Sequence, residues 1–583
     1  MTDRDMMDAE ASVRIDMKDG PGPGSARAET ALRRHAARAA GSIAFTDSPD
    51  RTERGLGPPR SVTFAQADAI ADEVAGKFRA CGLNKGDALA LQLPNTIEAP
   101  LLILGAWRAG LIACLMPLLW RHDEIDRAFT QVKPKAVVTV SKYGEERPAL
   151  TVCEVSAQHM SIRFVFGVGE NLPDGVTPIE DWLVQRVANQ HEPHSDTPSQ
   201  PAKPDQTAIM SWTVLREGSA PVPRSHGELA ALAQMFASQI KLNGGDTLLN
   251  PYPYTSIAAV AGQLVAPLLA GVQTVLHLPF GFGVFVEQLT KHEITYTALP
   301  APVIAALQER RILNSRELHL SRIGCVWPSL HGVESGPDLF ETQLRVFDIL
   351  NIAELALLVR ERSSGTDPSL LPLGKIFAAG EQDAGEPILE TRVRGSVTRE
   401  DSQQVLRGTL CVRGSIVPAG PFSLTGSEDE SVLHPDPHGF LDAGIGCVVD
   451  ETIPGKFRCQ KSGDMIYHGG AVIAARELDE LYAEFPEFLD AAAFVLADAV
   501  LGERIFAAVV PRPELSPSLS RLKQFLIEKR VAPYKTPDQL VIVKSIPRNG
   551  KGAVQREQIR GAYLGSELRR AYVPSDKPLP HAL

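Results

Sequence analysis

Apolar residues along this chain fall into two alternating periods. Ile70, Val74 and Phe78 recur at helical spacing, CGLNKGD interrupts them, and Ala88 to Leu93 then alternates as a strand. A second helix is expected over Ile97 to Ala109, and AVVTV at 136 to 140 is a β-branched strand. Strands separated by helical patterns predict a parallel sheet with helices packed on its faces. A polar, Pro-rich stretch at 190–206 reads as a linker, after which the alternation resumes to about residue 350. Residues 391 to 459 are Gly-punctuated and strand-like. From about 465 a compact final unit is expected, with helices over Arg476 to Phe485 and Ser518 to Lys529 and strands over AAAFVLA, RIFAAVVP and QLVIVKSIP.

Thr247 to Val286 contains no Asp, Glu, Lys or Arg, but prolines at 253, 267 and 279 and several glycines interrupt it. A buried helix around Ile257 to Ala270, a turn at Gly271 and a strand Val275 to Leu278 account for it better than a membrane span. Residues 1 to 28, with their GPGPGS stretch, read as a flexible arm, and the fold is expected to start near Glu29.

Composition then narrows the class. At 44% hydrophobic and 22% charged residues, the chain matches ordinary globular proteins rather than disordered or polytopic membrane ones. A formal net charge of -11 disfavours a dedicated nucleic-acid binder. The seven cysteines show neither a CxxC pair nor zinc spacing, so they are read as reduced and mostly buried. The first twenty residues are charged throughout and lack an apolar signal core, from which a cytoplasmic location is expected.

Two regions carry a family likeness. SVTFAQADAIADEVAGKFRACGLNKGDALALQLPN at 61–95 resembles the opening of the adenylate-forming enzymes: acyl-CoA and aryl-CoA ligases, luciferases and peptide-synthetase adenylation domains. KSGDMIYHGGAVIAARELDELYAEFPEFLDAAAFVLADAVLGERIFAAVVPRP at 461–513, with RVAPYKTPDQLVIVKSIPRNGKGAVQREQIR at 530–560, resembles that superfamily's hinge, Gly-Gly hairpin and lid. The resemblance implies an α/β protein. Its large domain (29–464) would hold two related mixed sheets with helices and a β-rich subdomain near 391–459; a small α+β lid (465–565) and a tail (566–583) would come after it. It also implies a two-step reaction: a carboxylate and ATP give an acyl-adenylate and diphosphate, and coenzyme A then displaces AMP.

Several motif positions depart from the family pattern. The phosphate loop T-S-G-T-T-G-x-P-K corresponds to WTVLREGSA at 212–220, which puts Ala220 at the lysine and Val214 and Glu217 at glycines. Trp212, Val214 and Leu215 are bulky where a backbone must approach phosphate. Arg216 or Arg224 is a candidate replacement cation. In the segment resembling Y-G-x-T-E, LNIAE retains Glu354, a candidate catalytic and magnesium ligand, but has Ala353 and Asn351 in place of threonine and glycine. At the ribose-binding aspartate stands Ile445, which cannot accept a hydrogen bond, with Asp442 three residues away. Lys461 replaces the clamp arginine and keeps charge without the planar fork. An ungapped reading of IPRNGKGAVQRE puts Ala553 at the lid lysine, and a gapped one makes it Lys551.

The thiol half is better kept. His468, Gly469 and Gly470 match the hairpin that lines the CoA route, while Tyr254 and Trp327 fall where the resemblance expects the acyl pocket; the same residues also suit a tight hairpin and a filled core. The resemblance implies ATP and magnesium, which the altered motifs put in doubt, and leaves CoA a candidate cofactor. The expected partner is a small carboxylate or acyl-CoA, with a protein partner for a regulatory role and neither nucleic acid nor a membrane span. Three functions stay open: an acyl- or acyl-CoA-binding relative with weak or lost activation, a working acid-thiol ligase using substitute residues, and an acyltransferase fed a preformed adenylate or thioester.

Overall fold

Helix Phe64–Ala80 starts at a capping box, where the Thr63 hydroxyl takes the Gln66 N–H and the Gln66 side chain takes the Thr63 N–H. Its apolar stripe, including Ile70, Val74 and Phe78, is buried. The computed structural model describes residues 13–16, 27–184, 203–215, 218–278, 281–327, 330, 344–363, 367, 369–379, 387–400, 403–419, 434–450, 452, 454–461, 463–498 and 500–565. The linker read at 190–206 lies mostly outside these residues, and the tail 566–583 entirely so.

The chain divides into two compact units. The first comprises Met1–Leu118, Ile125–Thr213 and Ala220–Cys459; the second comprises Leu119–Glu124, Val214–Ser219 and Gln460–Leu583.

Three sheets build the first unit. In a seven-stranded sheet, Ala88–Leu91 pairs in parallel with Ile112–Leu115 on one side and Ala136–Val140 on the other. An eight-stranded sheet has a parallel core of Gln273–Leu276, Thr247–Asn250, Tyr296–Pro300, Arg322–Trp327 and Arg345–Ile352, closed by antiparallel Ala356–Glu361. The third sheet is β-rich. Its strands Leu389–Glu400, Gln403–Arg413 and Leu441–Asp450 are antiparallel neighbours, with Lys456–Gln460 next in the strand order. Alternation of strand and helix thus gave the two parallel-cored sheets, as the resemblance implied.

Two details depart from the expectations. Within the presumed arm, Val13–Asp16 forms a strand parallel to Ile376–Ala379, and helix Ala28–Arg38 comes after it. The uncharged run is helical as expected, but Val260–Val265 widens into a π turn between Ile257–Ala259 and Ala266–Ala270. Pro267 lacks the N–H that an α-helix needs there, and the chain loosens just ahead of it. Gly262 lies in this turn where an added Cβ would come within 2.6 Å of the Phe236 ring.

In the second unit, hairpin Met465–His468/Ala471–Ala474 joins Phe488–Asp498, Gly502–Pro511 and Gln539–Ile542 in a five-stranded sheet. Helices Ala475–Ala483 and Leu519–Glu528 bury Leu478, Tyr482, Leu522 and Leu526 in one apolar cluster with that sheet's Ala493 and Ala507. Among the described residues no helix is long and apolar enough to cross a membrane.

Candidate active site

Parallel strands end on one edge of their sheet, and ligands of such folds bind outside that edge. In the eight-stranded sheet, Tyr254 follows strand Thr247–Asn250, Trp327 ends Arg322–Trp327, and Glu354 follows Arg345–Ile352. Topology therefore gathers three of the sequence candidates at one edge. Trp327 stands opposite Leu350 in register and donates its indole N–H to Asp348 Oδ1 at 2.9 Å. Asp348 is itself buried and paired with Arg362 and Arg360. Tyr254 is 4% exposed, and burial raises the pKa of its phenol. Both rings pack as core side chains.

Glu354 is committed to the fold. Residues 353 and 354 take left-handed φ values of 51° and 59°, and the turned-back carboxylate accepts the Ile257 N–H at 2.8 Å, at the start of a helix. Its other oxygen accepts from the Asn351 amide, while Asn351 Oδ1 takes the Glu354 N–H at 3.0 Å. Asn351, where the family pattern has glycine, thus acts as a brace. Burial raises the Glu354 pKa, opposed by these hydrogen bonds. With both oxygens already accepting, the carboxylate is poorly suited to magnesium. Among the described residues no group of three or more His, Cys, Asp or Glu converges as a metal site.

Arg224 corrects the sequence reading. Considered as a substitute cation for phosphate, it is instead 0% exposed, and its guanidinium donates to the main-chain carbonyls of Ile416, Glu354 and Leu355. Burial lowers its pKa to about 10, so it stays charged at neutral pH. A fork filled by three carbonyls has little left for an anion.

The segment aligned with the phosphate loop is drawn into strands Thr207–Leu215 and Gly218–Ser225. Arg216 and Glu217 lie outside the described residues. Trp212 packs against Ala88, Ile112, Cys114, Val132 and Met210, and its indole N–H donates to Gln131 at 3.2 Å. Ala220 is 1% exposed. On strand Leu441–Asp450, Ile445 is half-buried, and Asp442 is held by Arg394, by Thr409 at 3.1 Å and by the Gly444 N–H at 2.8 Å. All these donors bind Asp442 within the sheet.

In the second unit, Glu503 links two candidates. Its carboxylate pairs with Lys461 and takes the Tyr467 N–H at 2.8 Å, and its carbonyl bonds His468 Nδ1 at 2.7 Å. Lys461 also lines an open cleft with Met465, Phe494, Arg556 and Arg560. Gly469 and Gly470 have φ of 56° and 83°, as a two-residue hairpin turn of the primed kind demands. Lys551 sits on another turn. Asn549 Oδ1 accepts the N–H groups of Lys551 and Ala553 at 2.9 and 3.0 Å, and Gly552 has φ of 81°, so both residues are exposed at one tip.

Sequence reasoning missed Asn95, Asp348 and Glu503. Asn95 follows strand Ala88–Leu91 of one sheet and donates to the carbonyls of Asn250 (2.8 Å) and His277 (3.1 Å) of the other, stitching their edges together. An asparagine just past an expected strand end was the available signal.

Comparison with known proteins agrees with this architecture. Residues 32–351 match the family described as AMP-binding enzyme, and residues 477–553 match the AMP-binding enzyme C-terminal domain. The chain is 25% identical over 528 residues to a probable CoA ligase of Humulus lupulus, covering 89% of this chain and 90% of the relative. It is also 25% identical over 515 residues to a medium-chain fatty-acid–CoA ligase of Escherichia coli, covering 86% and 85%. In fold it is similar to the o-succinylbenzoate CoA synthetase of Bacillus subtilis, with a TM-score of 0.68, 19% identity and coverage of 91% of this chain and 98% of that one. An amide bond synthetase of Marinactinospora thermotolerans likewise gives 0.68 at 18% identity, with coverage of 92% and 99%.

Proposed function

This chain belongs to the AMP-binding enzyme family, and from that premise we propose that it is an acyl-CoA-ligase-like protein whose ATP-dependent activation step is weak or lost, leaving it to hold an acyl group or acyl-CoA. The observation that carries the reading is Arg224. Of the two arginines the sequence offered as a replacement, it is the one the structure describes, and its guanidinium is taken up by three buried carbonyls. Ala220 at the loop lysine, Ile445 at the ribose acceptor and the doubly hydrogen-bonded Glu354 carboxylate argue the same way. Each lost charge stabiliser costs roughly 100- to 1000-fold in rate, so even partly overlapping losses suppress adenylation.

The residues thus fit magnesium-ATP poorly. Retained CoA binding is supported by the Gly469–Gly470 turn, where absent side chains leave the main chain open to close approach. A second reading, a working ligase of small carboxylic acids, is favoured by one feature: Lys551 is exposed two residues from Ala553 on the same turn. Calorimetric titration with Mg-ATP, CoA and fatty and aryl acyl-CoA separates the two. Saturable acyl-CoA binding without nucleotide binding is expected, and micromolar ATP binding would overturn the proposal.

A further inference from the structure

Seven free cysteines are spread over the first unit, and two of them touch. Cys447 lies on strand Leu441–Asp450 and Cys459 on its neighbour Lys456–Gln460, with their sulfurs 3.7 Å apart. A disulfide needs the sulfurs at about 2.05 Å, so a closing movement of about 1.6 Å, within reach of side-chain rotation, joins them. We propose that Cys447 and Cys459 are a redox modification site that closes reversibly into a disulfide with a low-molecular-weight disulfide as oxidant.

Burial separates the roles of the two thiols. Cys447 is buried, and the thiol–thiol hydrogen bond, together with burial, raises its pKa strongly, so it holds its proton. Cys459 is partly exposed and is the thiol that small molecules reach. The Cys459 thiolate attacks one sulfur of oxidised glutathione, and one glutathione leaves as thiolate. In the mixed disulfide the thiol–thiol hydrogen bond that held the Cys447 proton is gone; Cys447 gives that proton to water and, as thiolate, attacks the Cys459 sulfur, expelling the second glutathione. Two protein thiols are oxidised and one glutathione disulfide is reduced to two thiols. Cys411, on the strand beside that of Cys447, is a third thiol in the neighbourhood, and burial raises its pKa to about 11. Cys459 is also the last residue of the first unit, so the bond fixes the strand by which the chain leaves it.

The test is non-reducing peptide mapping of the full chain after incubation with oxidised glutathione, with free thiols alkylated before digestion. A peptide pair linked through Cys447 and Cys459, two hydrogens lighter than the reduced pair and released by dithiothreitol, is expected. Cys447→Ser should instead trap glutathione on Cys459. Alkylation of both cysteines at the level of the untreated protein, or linkage of Cys459 to Cys411, would overturn the assignment. The mapping does not depend on ATP or acyl-CoA binding and stands apart from the proposed function.

Discussion

Arg224 and Glu354 are hydrogen-bonded through the main chain: the guanidinium donates to the Glu354 carbonyl at 2.8 Å, while the Glu354 carboxylate caps the helix start at Ile257. Arg224 is therefore a clamp whose removal orphans three buried carbonyls. Arg224→Met should destabilise the first unit by about 3 kcal/mol, since a buried charge-assisted bond and the groups it satisfied are lost together. Arg224→Lys, with a single ammonium for three acceptors, should recover less than half of that. Urea denaturation of both variants measures the difference, and unchanged midpoints would refute the clamp.

Glu354 allows a second test. Glu354→Ala removes the helix cap and leaves the Ile257 N–H buried, at a cost of about 2 kcal/mol. Glu354→Gln keeps an acceptor for that N–H and should cost less. A thermal melt showing the two variants equal would mean that the carboxylate does not cap the helix.

Acid sensitivity should trace to His226. It is buried beside Glu29, 3.6 Å away, with Arg27 near and Trp107 edge-on to the ring. Burial lowers its pKa from 6.5 to about 4. The unfolded chain thus takes up a proton below pH 6.5 that the folded one refuses, so the stability this group contributes is complete above 6.5 and is lost as pH falls towards 4. Between pH 7 and 5 the loss amounts to about 2 kcal/mol. Glu29, whose pKa burial raises, titrates in the opposite sense, since its folded form favours the proton. His226→Phe should flatten the fall in unfolding free energy between pH 7 and 5, and an unaltered slope would assign it elsewhere.

Local features were the legible part of the sequence. The helical spacing of Ile70, Val74 and Phe78, the β-branched run at 136–140 and the Gly469–Gly470 turn each carry their instruction within a few residues, and each formed as read. The hidden part depends on distant partners. The alignment of the phosphate loop pointed to Arg224 but not to its carbonyls, which lie 130 and more residues away. Val13–Asp16 is too short to announce a strand without its partner at 376–379. Asn351 looked like a lost glycine because its brace on Glu354 exists only once the chain turns back at residues 353 and 354. Departures from a motif were visible from residue identity, whereas the use made of the replacement residues required the fold.

The lid turn decides between the two functional readings. Asn549 fixes its geometry through the N–H groups of Lys551 and Ala553, so both side chains project from one tip. Lys551→Ala at this exposed site should change stability by less than about 0.5 kcal/mol, which makes its effect on turnover interpretable. If activation is lost, diphosphate release with fatty and aryl acids should stay at the acid-free background in both the parent and Lys551→Ala. If Lys551 serves as the lid lysine, the parent should release diphosphate in an acid-dependent way, and the variant should lose about 100-fold or more of that rate. Ala553→Lys alone should not restore activity under the first reading, because Ala220 and Ile445 still leave the phosphates and ribose without their partners. A coupled diphosphate assay on the three proteins distinguishes these outcomes, and robust acid-dependent release by the parent would rule out the lost-activation reading.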